Sequence, residues 1–452
     1  MTKVLILTGD PIGARMAGPA IRSWNMASLL SRENEVTLVT TTILEEVEAP
    51  FTLRRIKPGE NSEFNELERW ADVIVFQGHA MNQFEVLRTT SKIVVVDIYD
   101  PMHLEMLEQG RELPRATWQL RVDTATRVLN EQLALGDFFL CASERQRLFY
   151  LGQLAALGRV NPATYETDPH FARLLAVAPF GLDATPPVHQ RAVLKDVVPG
   201  IGGSDKLLLW GGGLYSWFDP KSLIRAVAEL SRSRENVSLY FLGTKHPGVE
   251  EMGIVRESFD LARELGALGS SVHFNEDWVD YAERQNYLAE ADAGVSTHMS
   301  HIETTFSFRT RILDYLWGSL PMVVTEGDSF AELVEKEGLG LVVPAGDVPA
   351  LTEALERILF DEKFLAQVRV NLARVREQFF WERALQPLVE FVRHPQHAAD
   401  YAGARQSAST LTGNGRKPYG LRHDASMAVH HLRHSGVRVT VTKLANRLFR
   451  KR

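Results

Sequence analysis

Cysteine is almost absent from this sequence of 452 residues, since the one example, Cys141, lies in the apolar run of residues 138–142. A single cysteine excludes a disulfide framework and a cysteine-based zinc site. The surrounding run predicts that Cys141 is a buried strand residue rather than a nucleophile. No run of about 18 uncharged apolar residues occurs either, which excludes a membrane-spanning helix of the usual kind. We therefore expect a cytoplasmic protein whose contact with the cell membrane, if any, is peripheral and on its inner face.

The rest of the composition is that of a folded protein. Hydrophobic residues make up 45% and charged residues 24%, which excludes disordered, collagen-like and coiled-coil chains. The length exceeds what one hydrophobic core usually supports, so two domains are expected. The formal net charge of -7 conceals an asymmetry, because residues 393–452 carry a net +10 and the remainder a net -17. An acidic body and a basic tail are expected to meet different partners.

Short β-branched and apolar runs alternate with segments of helical length along the body of the chain. This pattern is typical of α/β proteins with doubly wound parallel sheets. A segment rich in proline and glycine, residues 186–205, divides the pattern into two halves and predicts a linker. The predicted strands are residues 4–8, 36–40, 73–76, 93–98, 138–142 and 174–178 in the first half, and 206–210, 238–242, 271–274, 293–296, 322–325 and 340–343 in the second.

In each half of the chain, a glycine-containing loop follows the first predicted strand. Residues 8–22 hold Gly9, Gly13 and Gly18, and the second loop contains Gly211, Gly212 and Gly213. Ligands of open α/β sheets bind at the carboxyl ends of strands, where exposed amides and helix N-termini suit a phosphate. The spacing is neither that of a dinucleotide-binding motif nor that of a P-loop. Gly18, Gly212 and Gly213 are therefore candidate phosphate-binding residues, and the alternative is that the loops are only turns that need small residues.

The segment with the densest polar chemistry is residues 296–321. It contains Glu303, Arg309, Arg311 and Asp314 between a predicted strand and a predicted helix. Guanidinium groups match phosphate oxygens, so Arg309 and Arg311 are candidate diphosphate ligands; the alternative is that they form surface ion pairs. The segment also holds two histidines three residues apart, but no third metal ligand accompanies them, so neither a metal nor a cofactor is predicted.

Five ordered motifs resemble the GT-B glycosyltransferases, most closely the retaining family 4 type. Residues 177–183 are similar to that family's V-x-P-N-G-V-D, with Phe180 in place of Asn, and residues 142–146 to its V-S-E-x-x turn. Residues 314–325 resemble E-A-M-A-x-G-x-P-V-V-x-T, residues 332–347 resemble E-x-V-x-x-G-x-G-x-L-V-x-P-x-D, and residues 380–384 resemble the start of the helix that returns to the first domain. The resemblance implies two Rossmann-like domains that face a cleft. It implies an N-terminal acceptor-side domain (1–185), a linker (186–205), a nucleotide-sugar-binding domain (206–378), a crossover helix (379–394) and a flexible basic tail (395–452).

The resemblance also implies roles for individual residues. Asp314 would accept the donor ribose hydroxyls, and Glu303 would be the carboxylate near the transferred sugar. These two stand eleven residues apart, whereas the family's paired carboxylates are eight apart. The family's Arg and Lys after the first strand of the second domain are missing, so Arg309 and Arg311 would replace their charge. A family histidine follows a first-domain strand that leads here to Asp100 and His103, the two further catalytic candidates.

The function implied is transfer of a sugar from a nucleoside-diphosphate sugar to a hydroxyl acceptor, without a metal and with retention, in cell-envelope or polysaccharide synthesis. A hydrolase or 2-epimerase of the same fold is an enzymatic alternative. The acceptor would be a lipid-linked compound or a saccharide. Residues 437–452 place apolar and basic side chains at helical spacing, which suits an anionic membrane surface. A nucleic-acid-binding protein that uses the basic tail is the non-enzymatic alternative, and the acidic body argues against a nucleic-acid partner.

Overall fold

The computed structural model describes residues 1–244 and 252–405, and within them the strands form two sheets in which every pair is parallel. The first sheet has the order β3-β2-β1-β4-β5-β6-β7 and the second β10-β9-β8-β11-β12-β13. The strands are β1 (Lys3–Thr8), β2 (Glu35–Thr40), β3 (Thr52–Arg55), β4 (Val73–Gln77), β5 (Ile93–Asp97), β6 (Phe138–Cys141), β7 (Leu175–Val177), β8 (Lys206–Trp210), β9 (Val237–Phe241), β10 (Val272–Phe274), β11 (Ala293–Ser296), β12 (Met322–Thr325) and β13 (Gly340–Val343).

Helices connect the strands and cover both faces of each sheet. Among the described residues they are α1 (Gly18–Leu30), α2 (Asn61–Trp70), α3 (Ala80–Gln83), α4 (Val86–Thr89), α5 (Met102–Gln109), α6 (Arg115–Leu135), α7 (Glu144–Ala156), α8 (Pro162–Thr167), α9 (Pro220–Leu230), α10 (Gly253–Glu264), α11 (Arg284–Glu290), α12 (Ile302–Phe306), α13 (Arg311–Trp317), α14 (Ser329–Glu337), α15 (Val348–Phe360), α16 (Glu362–Val375), α17 (Trp381–Ala384) and α18 (Gln386–Arg393). None of these helices is long and apolar enough to cross a membrane.

The strand order confirms the predicted doubly wound α/β architecture. In each sheet the order reverses beside the first strand, between β1 and β4 and between β8 and β11. Strands covered on both faces are mostly apolar, as in β4, where all five residues are buried and only Gln77 at its end is polar. Such a reversal leaves a crevice at the carboxyl ends of the central strands, where ligands bind. The glycine loop after β8 and the polar segment after β11 both meet at that point in the second sheet.

Hydrogen bonds tie these two loops together. Asp219 caps α9 by accepting from the Ser222 amide at 3.0 Å, a bond that satisfies one of the amides left free at a helix start. The backbone of Asp219 bonds to Thr297 in both directions, with its amide donating at 3.0 Å and its carbonyl accepting from the threonine hydroxyl at 2.7 Å. The loops after β8 and β11 are therefore held as one unit.

The chain returns to the first domain after the second sheet. The Leu182 amide donates to the Phe379 carbonyl at 2.8 Å, and the Trp381 amide donates to the Leu182 carbonyl at 3.2 Å. Phe391 of α18 stacks on Phe138 with ring centroids 4.3 Å apart. The predicted crossover is thus made by the two short helices α17 and α18.

The predicted linker and the start of the predicted flexible tail are both packed against the domains. In residues 186–205 the amides of Val193, Leu194 and Lys195 all donate to the carboxylate of Glu290 at 2.8 Å. The flexible tail predicted from residue 395 onward does not hold for residues 395–405, because Asp400 forms a buried ion pair with Arg159 at 2.9 Å. The composition of these two segments, rich in proline and glycine or in polar residues, does not indicate either contact. The predicted membrane-binding segment 437–452 lies outside the described residues.

Candidate functional site

A cleft of about 530 Å³ lies between the carboxyl ends of the two sheets. The first domain contributes the loops after β1 and β5 and the start of α5, and the second domain contributes the loops after β8 and β11. Eight of the nine predicted site residues line the cleft: Gly18, Asp100, Gly212, Gly213, Glu303, Arg309, Arg311 and Asp314. The carboxyl ends of the two sheets face this cleft and bring together residues up to 296 positions apart in the sequence.

The glycine loop after β8 exposes backbone to the cleft. Gly212 has φ +82°, which side chains disfavour, and nothing lies within 4 Å of the place where its Cβ would be. A Cβ on Gly213 would lie 3.1 Å from the Tyr215 ring. The Gly211 amide donates to the Tyr315 hydroxyl at 2.9 Å, and that hydroxyl lies 2.8 Å from the Val295 carbonyl of β11. The loop is therefore fixed from beneath and open toward the cleft.

Arg311 carries a buried charge that has no carboxylate partner in the described part of the chain. The residue is 8% exposed, and its guanidinium lies between the Trp210 and Phe218 rings, 4.3 and 4.0 Å from their centroids. Its Nη2 donates to the Gly213 carbonyl at 3.2 Å, while Nη1 has no hydrogen-bond partner. Burial lowers its pKa to about 10, so it remains a cation at neutral pH. A buried, unpaired cation is costly, and an anion bound in the cleft would compensate it.

Arg309 and Glu303, predicted to have separate roles, are paired with each other. Arg309 donates from Nη1 to Glu303 Oε1 at 2.9 Å and from Nη2 to Oε2 at 2.7 Å, and both residues are buried. Helix α12 begins at Ile302, between β11 and Glu303, and directs the Glu303 carboxylate toward Arg309. A separation of six residues in the sequence does not by itself indicate this pairing. Both Nη atoms of Arg309 thus bind Glu303, whereas Nη1 of Arg311 has no hydrogen-bond partner and is available to an anion.

Asp314 lies at the opposite edge of the second-domain wall. Its carboxylate pairs with Arg284 Nε at 3.1 Å, and 39% of its side chain is exposed. Arg284 stacks over the rings of Tyr281 and Trp317 at 3.6 and 4.3 Å. Sequence analysis missed Arg284 because α11 carries no motif, and only the fold brings it to Asp314.

The first-domain wall carries carboxyl groups. Burial raises the pKa of Asp100 to about 6, and burial together with the neighbouring carboxylate of Asp100 raises the pKa of Glu105 well above its usual value. Burial also raises the pKa of Asp10 to about 6. Gly18 opens α1, whose preceding residue Ala17 gives no side-chain cap, so the first amides of this helix stay free beside the cleft. Sequence analysis missed Glu105, although its place five residues after Asp100, in the same segment after β5, was a usable signal.

His103 does not line the cleft. Its ring stacks on Phe149 with centroids 5.5 Å apart, and burial lowers its pKa. Asp100, which precedes α5, and Glu105, on its first turn, line the cavity, whereas His103 lies on another side of the helix. A direct role for His103 in the reaction therefore has less geometric support than one for Asp100.

The described residues contain no group of three or more His, Cys, Asp or Glu side chains arranged to hold a metal ion. The two histidines after β11 have other contacts. His298 lies 3.4 Å from Asp328, and the His301 side chain caps α12 by accepting from the Thr304 amide at 3.2 Å.

Comparison with known proteins gives a consistent result. Residues 205–361 match the family described as "Glycosyl transferases group 1". No curated protein sequence matches the chain significantly. Among solved structures, sucrose-phosphate synthase from Thermosynechococcus elongatus is similar over 87% of this chain and 98% of its own, with 16% identity and a TM-score of 0.64.

Two further structures have the same two-domain fold. HepE of Anabaena, in complex with UDP-glucose, is similar over 87% of this chain and all of its own, with 16% identity and a TM-score of 0.63. WaaG, a glycosyltransferase involved in lipopolysaccharide biosynthesis, is similar over 91% of this chain and all of its own, with 17% identity and a TM-score of 0.56. Residues 205–361 are thus similar to the group 1 glycosyl transferases, and the chain as a whole has the two-domain GT-B fold of these solved structures.

Proposed function

We propose that the protein transfers a sugar from a nucleoside-diphosphate sugar to a hydroxyl acceptor in the cleft between the two domains. The observation that carries this proposal is the buried guanidinium of Arg311, which has one carbonyl contact and no carboxylate partner among the described residues. Its position beside Gly213 and the open backbone of Gly212 suits a diphosphate. The binding of UDP-glucose by HepE, which shares the fold, supports a donor of this class.

Arg311 has a catalytic as well as a binding role in this proposal. Departure of a nucleoside diphosphate develops negative charge on the bridging oxygen, and a fixed cation in a site with little water stabilises that charge. The amides of Gly212 and Gly213 would add donors to the same oxygens, since the Gly211 amide is bound to Tyr315. We propose that the protein, rather than a metal ion, supplies the positive charge that stabilises the leaving diphosphate. We also propose that the reaction proceeds with retention, as the sequence resemblance implies.

The other candidates take positions around the diphosphate. Asp314, with 39% of its side chain exposed, would accept hydrogen bonds from the donor ribose, while Arg284 holds its carboxylate. Glu303 would lie beside the transferred sugar, with Arg309 fixing its orientation through two hydrogen bonds. Asp100 would face the acceptor hydroxyl from the first domain. Gly18 and the free amides of α1 would line the same space.

For the biological setting we propose a saccharide or lipid-linked acceptor in cell-envelope or polysaccharide synthesis at the cytoplasmic face of the membrane. The basic and apolar spacing of residues 437–452 supports contact with anionic lipid headgroups. WaaG, a glycosyltransferase involved in lipopolysaccharide biosynthesis with the same fold, is compatible with this setting.

The test is donor binding by the full chain and an arginine variant. Isothermal titration with UDP, UDP-glucose and GDP-mannose should give binding of at least one nucleotide. Arg311→Met should weaken that binding about tenfold or more, because a charge-assisted hydrogen bond to phosphate is lost. Arg225→Met, at an exposed position of α9, should leave the affinity unchanged. Equal affinity for Arg311→Met and the wild type would contradict the assignment, and release of free sugar without any acceptor would favour the hydrolase alternative.

A further inference from the structure

Tyr215 is a residue of the second-domain wall whose hydroxyl is unpartnered in the described part of the chain. It follows the glycine loop after β8, lines the cleft and is half-buried. Its ring contacts the rings of Trp217 and Phe218, but no hydrogen bond joins its hydroxyl to another described residue. Tyrosine hydroxyls in such places usually have a hydrogen-bond partner, and the cleft is the place from which a ligand would supply one.

The Tyr215 hydroxyl lies against Gly213. The three atoms nearest to the place where a Gly213 Cβ would be all belong to Tyr215, and the closest are Cζ and the hydroxyl oxygen at 3.1 Å. The carbonyl of the same glycine accepts a hydrogen bond from Arg311 Nη2 at 3.2 Å. Gly213 therefore contacts both the free hydroxyl and the buried guanidinium, so a diphosphate bound by Arg311 beside Gly213 lies next to Tyr215.

The segment around Tyr215 is fixed by its neighbours. The Tyr215 ring stacks on Trp217 with centroids 4.8 Å apart and planes 9° apart. The Ser216 amide and hydroxyl donate to Met252 Sδ at 3.4 and 3.3 Å, and His301 Nε2 donates to the Trp217 carbonyl at 3.2 Å. The hydroxyl is thus held in position before a ligand binds, which reduces the entropy lost on binding.

The Tyr215 hydroxyl is a donor at neutral pH. Burial raises the pKa of Tyr215 to about 12; the nearby charge of Arg311 opposes this shift, and Glu105 and Asp10 across the cleft add to it. Phosphate oxygens are acceptors, so a protonated phenol complements them, and a hydrogen bond to a charged oxygen is stronger than one between neutral groups.

We propose that Tyr215 binds the donor diphosphate, with its hydroxyl donating a hydrogen bond to a phosphate oxygen beside Gly213. This inference rests on the proposed function and adds an uncharged donor to the site. It also gives Gly213 a second role, since a side chain at this position would collide with the Tyr215 ring.

The experiment is isothermal titration of the full chain with UDP and GDP, and with uridine and guanosine as probes without phosphate. Tyr215→Phe keeps the ring and its stacking, so it should fold normally. We expect its affinity for the nucleoside diphosphate that the wild type binds to fall about three- to tenfold and its affinity for the matching nucleoside to stay unchanged. Tyr165→Phe, at an exposed tyrosine, should change neither affinity.

Unchanged diphosphate affinity in Tyr215→Phe would overturn the inference, and so would an equal loss of affinity for the nucleoside. Failure of the wild type to bind either nucleoside diphosphate would instead contradict the proposed function, as would unchanged binding by Arg311→Met. The two failures are therefore distinguishable.

A second pair of variants tests the contact between Gly213 and Tyr215. The methyl group of Gly213→Ala should displace the hydroxyl and weaken binding of the same nucleoside diphosphate several-fold. Combined with Tyr215→Phe it should cause no further loss, because both changes remove the same hydrogen bond. Gly152→Ala on α7, where nothing lies within 4 Å of the Cβ position, is the control and should bind as the wild type does. Losses that add in the double variant would contradict the assignment.

Discussion

Three arginines with buried side chains differ in how their charge is compensated. Arg22 donates to Asp97 at 2.7 and 2.9 Å and to two backbone carbonyls, and Arg159 donates to Asp400 and to carbonyls at the end of α6. Arg311 has one carbonyl and two aromatic faces. Burial is costly for each of the three charges, and Arg311 is the one that has no carboxylate partner among the described residues, so a bound anion would compensate it.

The carboxyl group of Asp10 provides a prediction at the residue scale. Burial alone raises its pKa from 3.8 to about 6, so the folded protein holds this proton more tightly than the unfolded chain. Stability from this group is complete below pH 4 and is lost as pH rises to about 6. The Asn side chain of Asp10→Asn cannot ionise. The free energy of unfolding of this variant, relative to that of the wild type, should therefore be about 2 kcal/mol higher at pH 7.5 than at pH 4. Urea unfolding at both pH values measures this difference, and a difference that is the same at both would contradict the assigned pKa.

At the scale of elements, the short helix α13 supports much of the site. Tyr315 lies beneath the point where β8 and β11 diverge, and its hydroxyl contacts the Gly211 amide and the carbonyls of Leu209 and Val295. A Cβ on Gly294 would lie 2.4 Å from the Tyr315 ring. The tyrosine therefore sets both the spacing of the two strands and the position of the glycine loop.

Replacing Tyr315 with Phe tests this support. The ring remains, but the Gly211 amide loses its acceptor, so the loop that faces the diphosphate is expected to loosen. We expect the free energy of unfolding to fall by about 1–2 kcal/mol and the dissociation constant for UDP to rise several-fold. Chemical unfolding and titration with UDP measure the two effects. Tyr165→Phe, at an exposed tyrosine, is the control, and unchanged UDP affinity in Tyr315→Phe would show that the loop does not depend on the hydroxyl.

At the scale of the whole molecule, side chains of helix α7 join the two domains. Gln146 is fully buried and donates from Nε2 to the carbonyls of Tyr99 in the first domain and Phe306 in the second, both at 2.8 Å. Arg145 donates to the Gly327 carbonyl at 2.6 Å and pairs with Glu332. On another side of the cleft, the Tyr281 amide donates to the Ala14 carbonyl at 3.0 Å. These contacts hold the walls of the cleft at a fixed separation.

Arg145→Ala should therefore open the cleft with little loss of stability within each domain. We expect a larger radius of gyration in small-angle X-ray scattering and a kcat about 10- to 100-fold lower, because small displacements of reacting groups are costly. Arg147→Ala is the matched control, since Arg147 pairs within its own domain with Glu144. A wild-type radius and kcat in Arg145→Ala would show that other contacts suffice.

The segment after the crossover helices also belongs to the folded molecule. Asp400 accepts from Arg159 at 2.9 and 3.0 Å and from Asn161 at 2.9 Å. Asp400→Ala leaves the Arg159 charge buried without a partner and should lower the free energy of unfolding by about 3–5 kcal/mol. Thermal unfolding measures this, with Glu390→Ala on α18 as the control. A tail deletion that tests membrane binding must therefore end beyond residue 405, and a stable Asp400→Ala variant would contradict the role of this pair.

The sequence by itself determined the features that depend on neighbours along the chain. Apolar runs predicted twelve strands close to their observed limits, because strands buried on both faces are mostly apolar. Strand β3 (Thr52–Arg55) was missed because it is a short edge strand with exposed side chains. The glycine loops and the polar segment after β11 were located correctly at strand ends, since turns and exposed backbone carry their own residue types.

Only the tertiary structure decided which side chains meet. The pairing of Arg309 with Glu303, the lone position of Arg311 and the partner of Asp314 each depend on distances across loops or domains. The packing of residues 395–405 depends in the same way on a buried arginine 241 positions away from Asp400. Charge and hydrogen-bond energies are set by burial and by distances of a few ångströms. A sequence states which groups are present, but those distances exist only after both sheets have closed around the cleft.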